Sequence, residues 1–462
     1  MFDSRVYAER RASLKARVRQ GLIVLPGNTD VPFNYPANTY HFRQDSDFLY
    51  FFGLDMPDLA GVIDLDEGKE YLFGNDVDID DIIWMGPQES IADKGLTVGV
   101  KETFPFAKLE ETVQEAARKG RTIHYLPPYR AENKLLLYKL VGIHPDQLKA
   151  KASVELIKAV VDLRSVKSEI EIAELEKAAA IGYEMHTTAM RMAVEGASER
   201  TIAGIMEGIA LQHGGAVSFP IILSQNGETL HNHDHSQILQ KGRMLLIDAG
   251  AEALSHYCSD FTRTVPVGGT FTTCQKEIYE VVMHANNSAF KRIQPGVTYR
   301  EIHLHACTKI AKGLTEIGLM KGDCHEAVAA GAHTLFFPHG LGHMMGLDVH
   351  DMEGLGENYV GYDDKIQRAT EFGTASLRMG RELKPGFVIT NEPGIYFIPA
   401  LIDMWRREKK LEQFINYDML ETYKGFGGIR LEDDILVTPD GCTFIGKRVP
   451  ITPEQLAEVV GR

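Results

Sequence analysis

Five residues whose side chains bind hard cations, Asp248, Asp260, His343, Glu392 and Glu432, fall inside strand-like or glycine-punctuated sequence and constrain this chain more than any other feature. Asp248 lies in the run Met244 to Ala251, and Asp260 in the run Tyr257 to Thr264. Two β-prone runs separated by a turn-like segment predict a hairpin that brings both carboxylates together. His343 closes His339-Gly-Leu-Gly-His343, Glu392 precedes Pro393 and Gly394, and Glu432 follows Ile429-Arg430-Leu431. A carboxylate inside an apolar strand is expensive to bury unless something pairs with it. Four of them, with one or two cations nearby, point to bound metal rather than to salt bridges.

Taken singly, each has an ordinary reading. Asp248 and Asp260 could cap turns, Glu392 could be a turn residue, and Glu432 could pair with Arg430. Taken together they form a set of four carboxylates and one imidazole, which suits Mn²⁺ or a similar hard divalent ion. Two such ions would balance the four carboxylate charges, so the set predicts two metals rather than one.

At 462 residues the chain exceeds what one hydrophobic core usually serves, so two domains are expected. Its composition, 44% hydrophobic and 24% charged, is that of an ordinary globular protein. The net charge of -15 repels phosphate backbones and anionic membrane surfaces, which argues against nucleic acid as a partner. Five cysteines, with no Cys-x-x-Cys pair, suggest neither a disulfide framework nor a zinc knuckle, and reduced thiols in a cytoplasmic protein are expected. The N-terminus runs straight into a charged helical pattern without an apolar signal region, and no stretch is long enough for a membrane span.

Along the chain, residues 5 to 20 predict a helix ended by Gly21, followed by a buried strand from Leu22 to Pro26. Gly61 to Leu65, Tyr71 to Phe73 and Thr122 to Leu126 read as further strands, so the first domain, residues 1–160, is α/β. The aromatic run around Phe48, Tyr50 and Phe51 reads as a core strand. From about 127 to 160 the pattern is helical. Ser168 and Glu171 form a capping box opening a helix whose apolar face continues through Ala178, Ile181, Met185, Ala189 and Met192. A second helix is expected across 198 to 212, within a second domain spanning 161–462.

The order Asp, Asp, His, Glu, Glu with these flanks resembles the pita-bread metallopeptidases, and within them the proline-specific branch: Xaa-Pro aminopeptidase (aminopeptidase P) and Xaa-Pro dipeptidase (prolidase). The resemblance covers nearly the whole chain. It implies an aminopeptidase P-type N-terminal domain, a pita-bread (creatinase/aminopeptidase) catalytic domain, and a homodimer or homotetramer. It implies that Asp248 binds one ion and His343 the other, with Asp260, Glu392 and Glu432 holding or bridging the pair. His339 and His350 would line the substrate pocket, and His231 would stabilise the carbonyl oxyanion. Glu392 would also carry a proton towards the leaving imino nitrogen. His233 and His235 read as solvated loop residues, and Arg430 as a pocket residue. Arg43 and Asp47 could face the active site of a neighbouring subunit.

Substrates would be Xaa-Pro dipeptides or peptides with proline second, and here the two halves disagree. The segment Phe42 to Phe48 is similar to bacterial aminopeptidase P, whereas the long interval from Glu392 to Glu432 is similar to prolidase. Arg378 stands where prolidases keep an arginine that grips the substrate carboxylate, with a surface arginine as the alternative. The expectation is hydrolysis of the Xaa–Pro bond as an aminopeptidase, with the dipeptidase second. A metal-free pita-bread protein, either a creatinase-like hydrolase or a peptide-binding module, is the remote alternative, because such proteins lose ligands and this chain keeps all five. A methionine aminopeptidase would not normally carry so large an N-terminal domain.

Overall fold

The computed structural model describes residues 2–462, which cluster into two compact units. The first comprises Met1–Arg164 and the short segment Gly354–Tyr359, and the second Ser165–Glu353 and Val360–Arg462.

The first unit is built on a five-stranded mixed sheet, in the order Glu102–Phe104, Lys69–Phe73, Ala60–Asp64, Leu22–Pro26 and Ile123–His124. Leu22–Pro26 is the predicted buried strand. It runs antiparallel to Ala60–Asp64 and parallel to Ile123–His124, and its first four residues are buried. The helix Ser4–Arg17 precedes it, and the region from 127 onward is helical as expected, with Ala131–Val141, Pro145–Leu148 and Val154–Ser165.

The aromatic run departs from the expected strand: Ser46–Phe52 is a helix with all seven residues buried. Its ends explain the difference. Asp45 caps the N-terminus, accepting from the amides of Asp47 and Phe48, and Gly53 closes it in the left-handed region at φ 66. A Cβ on Gly53 would sit 2.1 Å from the Tyr7 ring, so glycine is needed there for space as well as conformation. Asp47 takes part in the unit's own core, where its carboxylate accepts from Arg164 at 2.6 Å.

The second unit places a pair of helices behind each of two small antiparallel sheets. In its first half, Glu169–Met192 and Glu199–Gln212 accompany a sheet ordered Phe261–Pro266, Met244–Ala249, Ile222–Ser224. The predicted capping box is present, with the Ser168 amide donating to Glu171 at 2.9 Å. Helix and sheet approach so closely that a Cβ on Gly182 would lie 2.9 Å from the Phe261 ring. In the second half, Thr273–Phe290 and Tyr299–Glu316 accompany a sheet ordered Val388–Asn391, Asp433–Thr438, Gly441–Phe444. The Asn286 side-chain amide fastens helix to sheet by donating to the carbonyls of Asn391 at 3.1 Å and Leu431 at 3.0 Å. An isolated bridge between Thr262 and Glu432 joins the two halves, and Gly394–Tyr396 pairs with Gly428–Arg430 beside it. Among the described residues, no helix is long and apolar enough to cross a membrane.

Candidate metal and substrate centre

The hairpin forms as the two β-prone runs predict. Met244–Ala249 and Phe261–Pro266 pair antiparallel with Thr262 opposite Asp248, so Asp260 emerges one residue beyond the register and beside it. The connection between them carries the two-residue strand Ala251–Glu252 and His256, whose φ of 68 turns the chain back. His343 arrives on an extended, non-helical segment bridged to the second sheet through Met344 and Ile389. The glycines around it permit that approach: a Cβ on Gly342 would lie 2.3 Å from the Thr390 carbonyl. Glu392 leaves the end of Val388–Asn391, and Glu432 sits between the strands Gly428–Arg430 and Asp433–Thr438.

All ten residues singled out from the sequence, Asp248, Asp260, His343, Glu392, Glu432, His231, His339, His350, Arg378 and Arg430, line one cavity of about 680 Å³. His343 Nε2 lies 3.5 Å from Asp260 Oδ2 and 3.8 Å from Glu392 Oε1. Ligand atoms of Asp260, His343 and Glu432 all fall within 4.8 Å of one another. The tautomer of His343 follows from its surroundings. Nδ1 is 2.9 Å from the Met344 carbonyl, which can only accept, so Nδ1 carries the proton and the Nε2 lone pair faces the carboxylates.

The electrostatics are those of a cluster short of positive charge. Burial, reinforced by Asp248, pushes the Asp260 carboxyl well above its ordinary range. Burial does the same to Glu432, with Asp260 and Glu392 adding to it, and burial raises Glu392 to about 7. Oδ1 of Asp248 and Oδ1 of Asp260 are buried with no hydrogen-bond partner among the described residues. Such orphaned oxygens are rare in native proteins and fit a cation. One guanidinium does enter the cluster: Arg430 donates to Asp248, and also to the Tyr396 hydroxyl at 2.8 Å. The donor set is therefore nearer -3 than the -4 summed from carboxylates alone. Divalent cations with oxygen preference still answer both the charge and the orphaned oxygens.

Around this core the histidines divide. His339 lines the cavity with both ring nitrogens engaged, Nδ1 donating to the Gly340 carbonyl and Nε2 accepting from the Tyr396 hydroxyl, each at 2.8 Å. Burial lowers its pKa to about 3, so it stands neutral. His350 donates from Nδ1 to Glu353 at 2.6 Å, and the other oxygen of Glu353 accepts from Arg378 at 2.7 Å. His231 reaches the cavity from an exposed position. His233, an exposed loop residue as its setting suggests, also lines the cavity, while His235 Nε2 lies 3.1 Å from the Ile221 carbonyl. Phe219, Pro220, Ile222 and Leu230 form an apolar wall that no motif had flagged. Glu353 and Tyr396 were also missed, since neither stands in a motif and each matters only through partners brought in by the fold.

The neighbours of Glu432 separate cleanly. Asp433 accepts from Arg263 at 2.5 Å and Arg448 at 2.8 Å, and Asp434 accepts from the Asp260 amide at 3.0 Å. Of these three acidic residues, only Glu432 lines the cavity.

Comparison with known proteins places the chain in a family. Residues 173–439 match the model of metallopeptidase family M24, and residues 7–124 match the aminopeptidase P N-terminal domain. A probable Xaa-Pro aminopeptidase, pepP, of Aspergillus clavatus is 33% identical over 90% of this chain and 87% of its own length. Human Xaa-Pro dipeptidase is 30% identical over 98% of this chain and 92% of its own. Among solved structures, zinc-substituted Escherichia coli aminopeptidase P in complex with product superimposes with a TM-score of 0.81 at 26% identity, covering 99% of this chain and 98% of that one. The family match spans more than half of the chain and contains every residue of the acidic cluster: this protein belongs to metallopeptidase family M24.

Proposed function

We propose that this enzyme is a Xaa-Pro aminopeptidase, hydrolysing the bond between an N-terminal residue and a following proline. The observation that carries the reading is the largely buried set Asp248, Asp260, His343, Glu392 and Glu432, with Glu392 half-buried and two of the oxygens orphaned, opening onto a cavity with an apolar wall. Four carboxylates of two oxygens each and one imidazole nitrogen offer more ligand atoms than one hard cation uses, about six. Two ions are therefore proposed, with Mn²⁺ favoured by the oxygen-rich set. When bound, such ions supply Lewis-acid polarisation of a peptide carbonyl and acidify water.

The protein's own groups do the rest. The carboxylate cluster attracts the free α-amino group of the substrate. Glu392 is assigned to take up a proton and pass it to the imino nitrogen as the bond breaks. His231 and His350 are assigned to the oxyanion and the peptide carbonyl, with Glu353 fixing the His350 tautomer so that Nε2 faces the cavity. The Tyr396 hydroxyl, shared between His339 and Arg430, keeps the Arg430 fork on Asp248. The wall of Phe219, Ile222 and Leu230 is assigned to the proline ring, which has no N–H to satisfy.

A second reading, Xaa-Pro dipeptidase, is supported by Arg378, which lines the same cavity and could pair with the carboxylate of a dipeptide. Assaying Xaa-Pro and Xaa-Pro-Yaa peptides side by side on the metal-loaded enzyme separates the two. Preference for the tripeptide supports the aminopeptidase, and preference for the dipeptide supports the alternative. His231→Ala should keep its metal and lower kcat, and loss of metal would remove His231 from the pocket set.

We further assign residues 1–160 to an N-terminal domain and 161–462 to the catalytic domain. A homo-oligomer, dimer or tetramer, is supported by the helix Ile79–Met85, which buries none of its residues and leaves Trp84 86% exposed. Light scattering of wild type and Trp84→Asp tests it. Five free cysteines support a reducing, cytoplasmic location.

A further inference from the structure

A second cluster of potential ligands lies in the catalytic unit outside the acidic centre. His303 and Cys307 stand four residues apart on the helix Tyr299–Glu316, so they share one face. His333 meets them from the single-turn 3₁₀ helix Ala332–Leu335, which Gly331 opens in the left-handed region at φ 81. Ligand atoms of the three lie within 4.8 Å of one another, and the side chains are nearly sealed, with exposures of 1% for His303, 0% for Cys307 and 2% for His333. Both nitrogens of His333 lack a hydrogen-bond partner among the described residues. None of these residues lines the cavity that holds the acidic cluster.

An ordinary core histidine does not explain this arrangement. A thiol donating to an imidazole accounts for Cys307 and His303, whose Sγ and Nε2 are 3.5 Å apart. It leaves His333 with two polar atoms buried and unsatisfied, which native cores avoid. A metal ion accounts for all three. With metal–sulfur near 2.3 Å and metal–nitrogen near 2.0–2.1 Å, tetrahedral ligands stand about 3.5 Å apart, which the Cys307–His303 pair already meets. His333, whose ligand atom lies within 4.8 Å of the other two, would need to close by at most about 1.3 Å to reach that spacing.

We propose that His303, Cys307 and His333 form a second metal site, selective for a thiolate-seeking ion of filled d shell, Zn²⁺ or Cu⁺, and distinct from the acidic centre. Donor softness separates the two sites: one sulfur and two imidazoles here, four carboxylates and one imidazole there. Burial keeps both imidazoles neutral, His303 near 3 and His333 near 4, so their lone pairs are available at neutral pH. Burial also raises the Cys307 thiol, so coordination must displace its proton to solvent, as is usual for thiolate ligands. Cu⁺ with one thiolate and two neutral imidazoles carries no net charge in this sealed pocket, whereas Zn²⁺ leaves one positive charge that a fourth, solvent-derived ligand would offset.

Full-length protein stripped by chelation and titrated with Co²⁺ tests the site. Thiolate coordination gives a near-ultraviolet sulfur-to-cobalt charge-transfer band, which oxygen and nitrogen donors cannot produce, so the acidic centre is silent in this readout. Wild type should show the band, and Zn²⁺ should bleach it. Cys307→Ser should lose it while still taking Co²⁺ into the acidic centre, and His333→Gln should weaken it at least tenfold, the lower end of what even an outer partner is worth. If Cys307→Ser fails to fold, His333→Gln alone decides. Retention of Cu⁺ against a chromophoric copper(I) chelator, lost in the same variants, would identify the monovalent ion instead. The proposal is overturned if wild type shows neither the band nor Cu⁺ retention. It is equally overturned if either signal survives in Cys307→Ser, where Cys258, Cys274, Cys324 and Cys442 remain as adventitious thiols.

Discussion

Glu432 and Asp433 adjoin in the chain and are equally buried, 2% and 1% exposed, yet the protein treats them in opposite ways. Burial would raise Asp433, but Arg263 and Arg448 outweigh it and hold the carboxyl below its usual range. Arg263 is itself fully satisfied, donating to Asp433 and to the carbonyls of Thr262, Glu432, Val449 and Pro450. Glu432 receives one hydrogen bond from Thr262 at 2.7 Å and otherwise faces more carboxylates, so its pKa moves well up. A single peptide step therefore divides an ion-pair network that holds the fold from a charge-deficient cluster that awaits cations. Buried acidity alone does not mark a metal site; the shortage of compensating charge does.

Mutation separates the two carboxylates. Asp260→Asn or Glu432→Gln should cost at least one ion per chain by metal analysis and lower kcat/KM by about a thousandfold, ~4 kcal/mol, or more. The stripped protein should keep its melting temperature, because an uncompensated carboxylate has been removed. A variant that melts early with full metal content would place Glu432 in the structural network instead.

Arg263→Met should do the reverse. Losing the cation strands Asp433 and several carbonyls, a penalty of about 3–5 kcal/mol in urea unfolding, with metal stoichiometry retained in the folded fraction. Adding Asp433→Asn should recover part of the loss. An unchanged midpoint in the single variant would mean that the network is ornamental.

Arg378 lies between the two regimes, lining the cavity but half-exposed and already paired with Glu353. If it also grips a dipeptide carboxylate, Arg378→Ala should raise KM for Xaa-Pro about tenfold, the equivalent of ~1.4 kcal/mol for a charge-assisted pair in partial contact with solvent. Xaa-Pro-Yaa should change much less. An unchanged ratio of kcat/KM for the two substrates would leave Arg378 outside substrate recognition.

The smallest effect belongs to a group kept neutral beneath the hairpin. His186 is fully buried and contacts the Ala249 carbonyl at 3.0 Å; burial lowers its pKa to about 4. The unfolded chain binds a proton there below about 6.5 and the folded one does not, so stability must fall as pH drops from about 6.5 towards 4. His186→Gln should flatten the dependence of unfolding free energy on pH in that window by about one proton, ~1.4 kcal/mol per pH unit. An unchanged slope would mean that His186 titrates normally and is not buried in solution.

What the sequence disclosed and what it hid follow from the range of the forces involved. The hairpin was legible because β-prone runs and the turn between them are local signals, and so was the helix cap at Ser168 and Glu171. The helix Ser46–Phe52 was not, because a segment buried on every side has no periodicity to read, although Asp45 before it and Gly53 after it carried the capping signal. The five acidic-centre candidates could be picked out by their settings in the chain, and the resemblance supplied their roles. Their partners could not: Arg430 on Asp248, Tyr396 on Arg430 and Glu353 on Arg378 are pairings across long stretches of chain that only the fold creates. Asp433, beside Glu432 in the same acidic run, shows the limit from the other side, since nothing local says which carboxylate meets an arginine.

The acidic cluster is proposed to act through divalent ions on a bond to proline. The most direct measurement is release of the N-terminal residue from an Xaa-Pro-Yaa tripeptide by chelated enzyme before and after Mn²⁺ is returned, with Xaa-Ala-Yaa alongside. The chelated enzyme should cleave neither peptide, Mn²⁺ should restore cleavage of the proline peptide alone, and Asp260→Asn should show no restoration. Full activity after complete removal of metal, or restored cleavage that ignores proline, would contradict that role of the cluster.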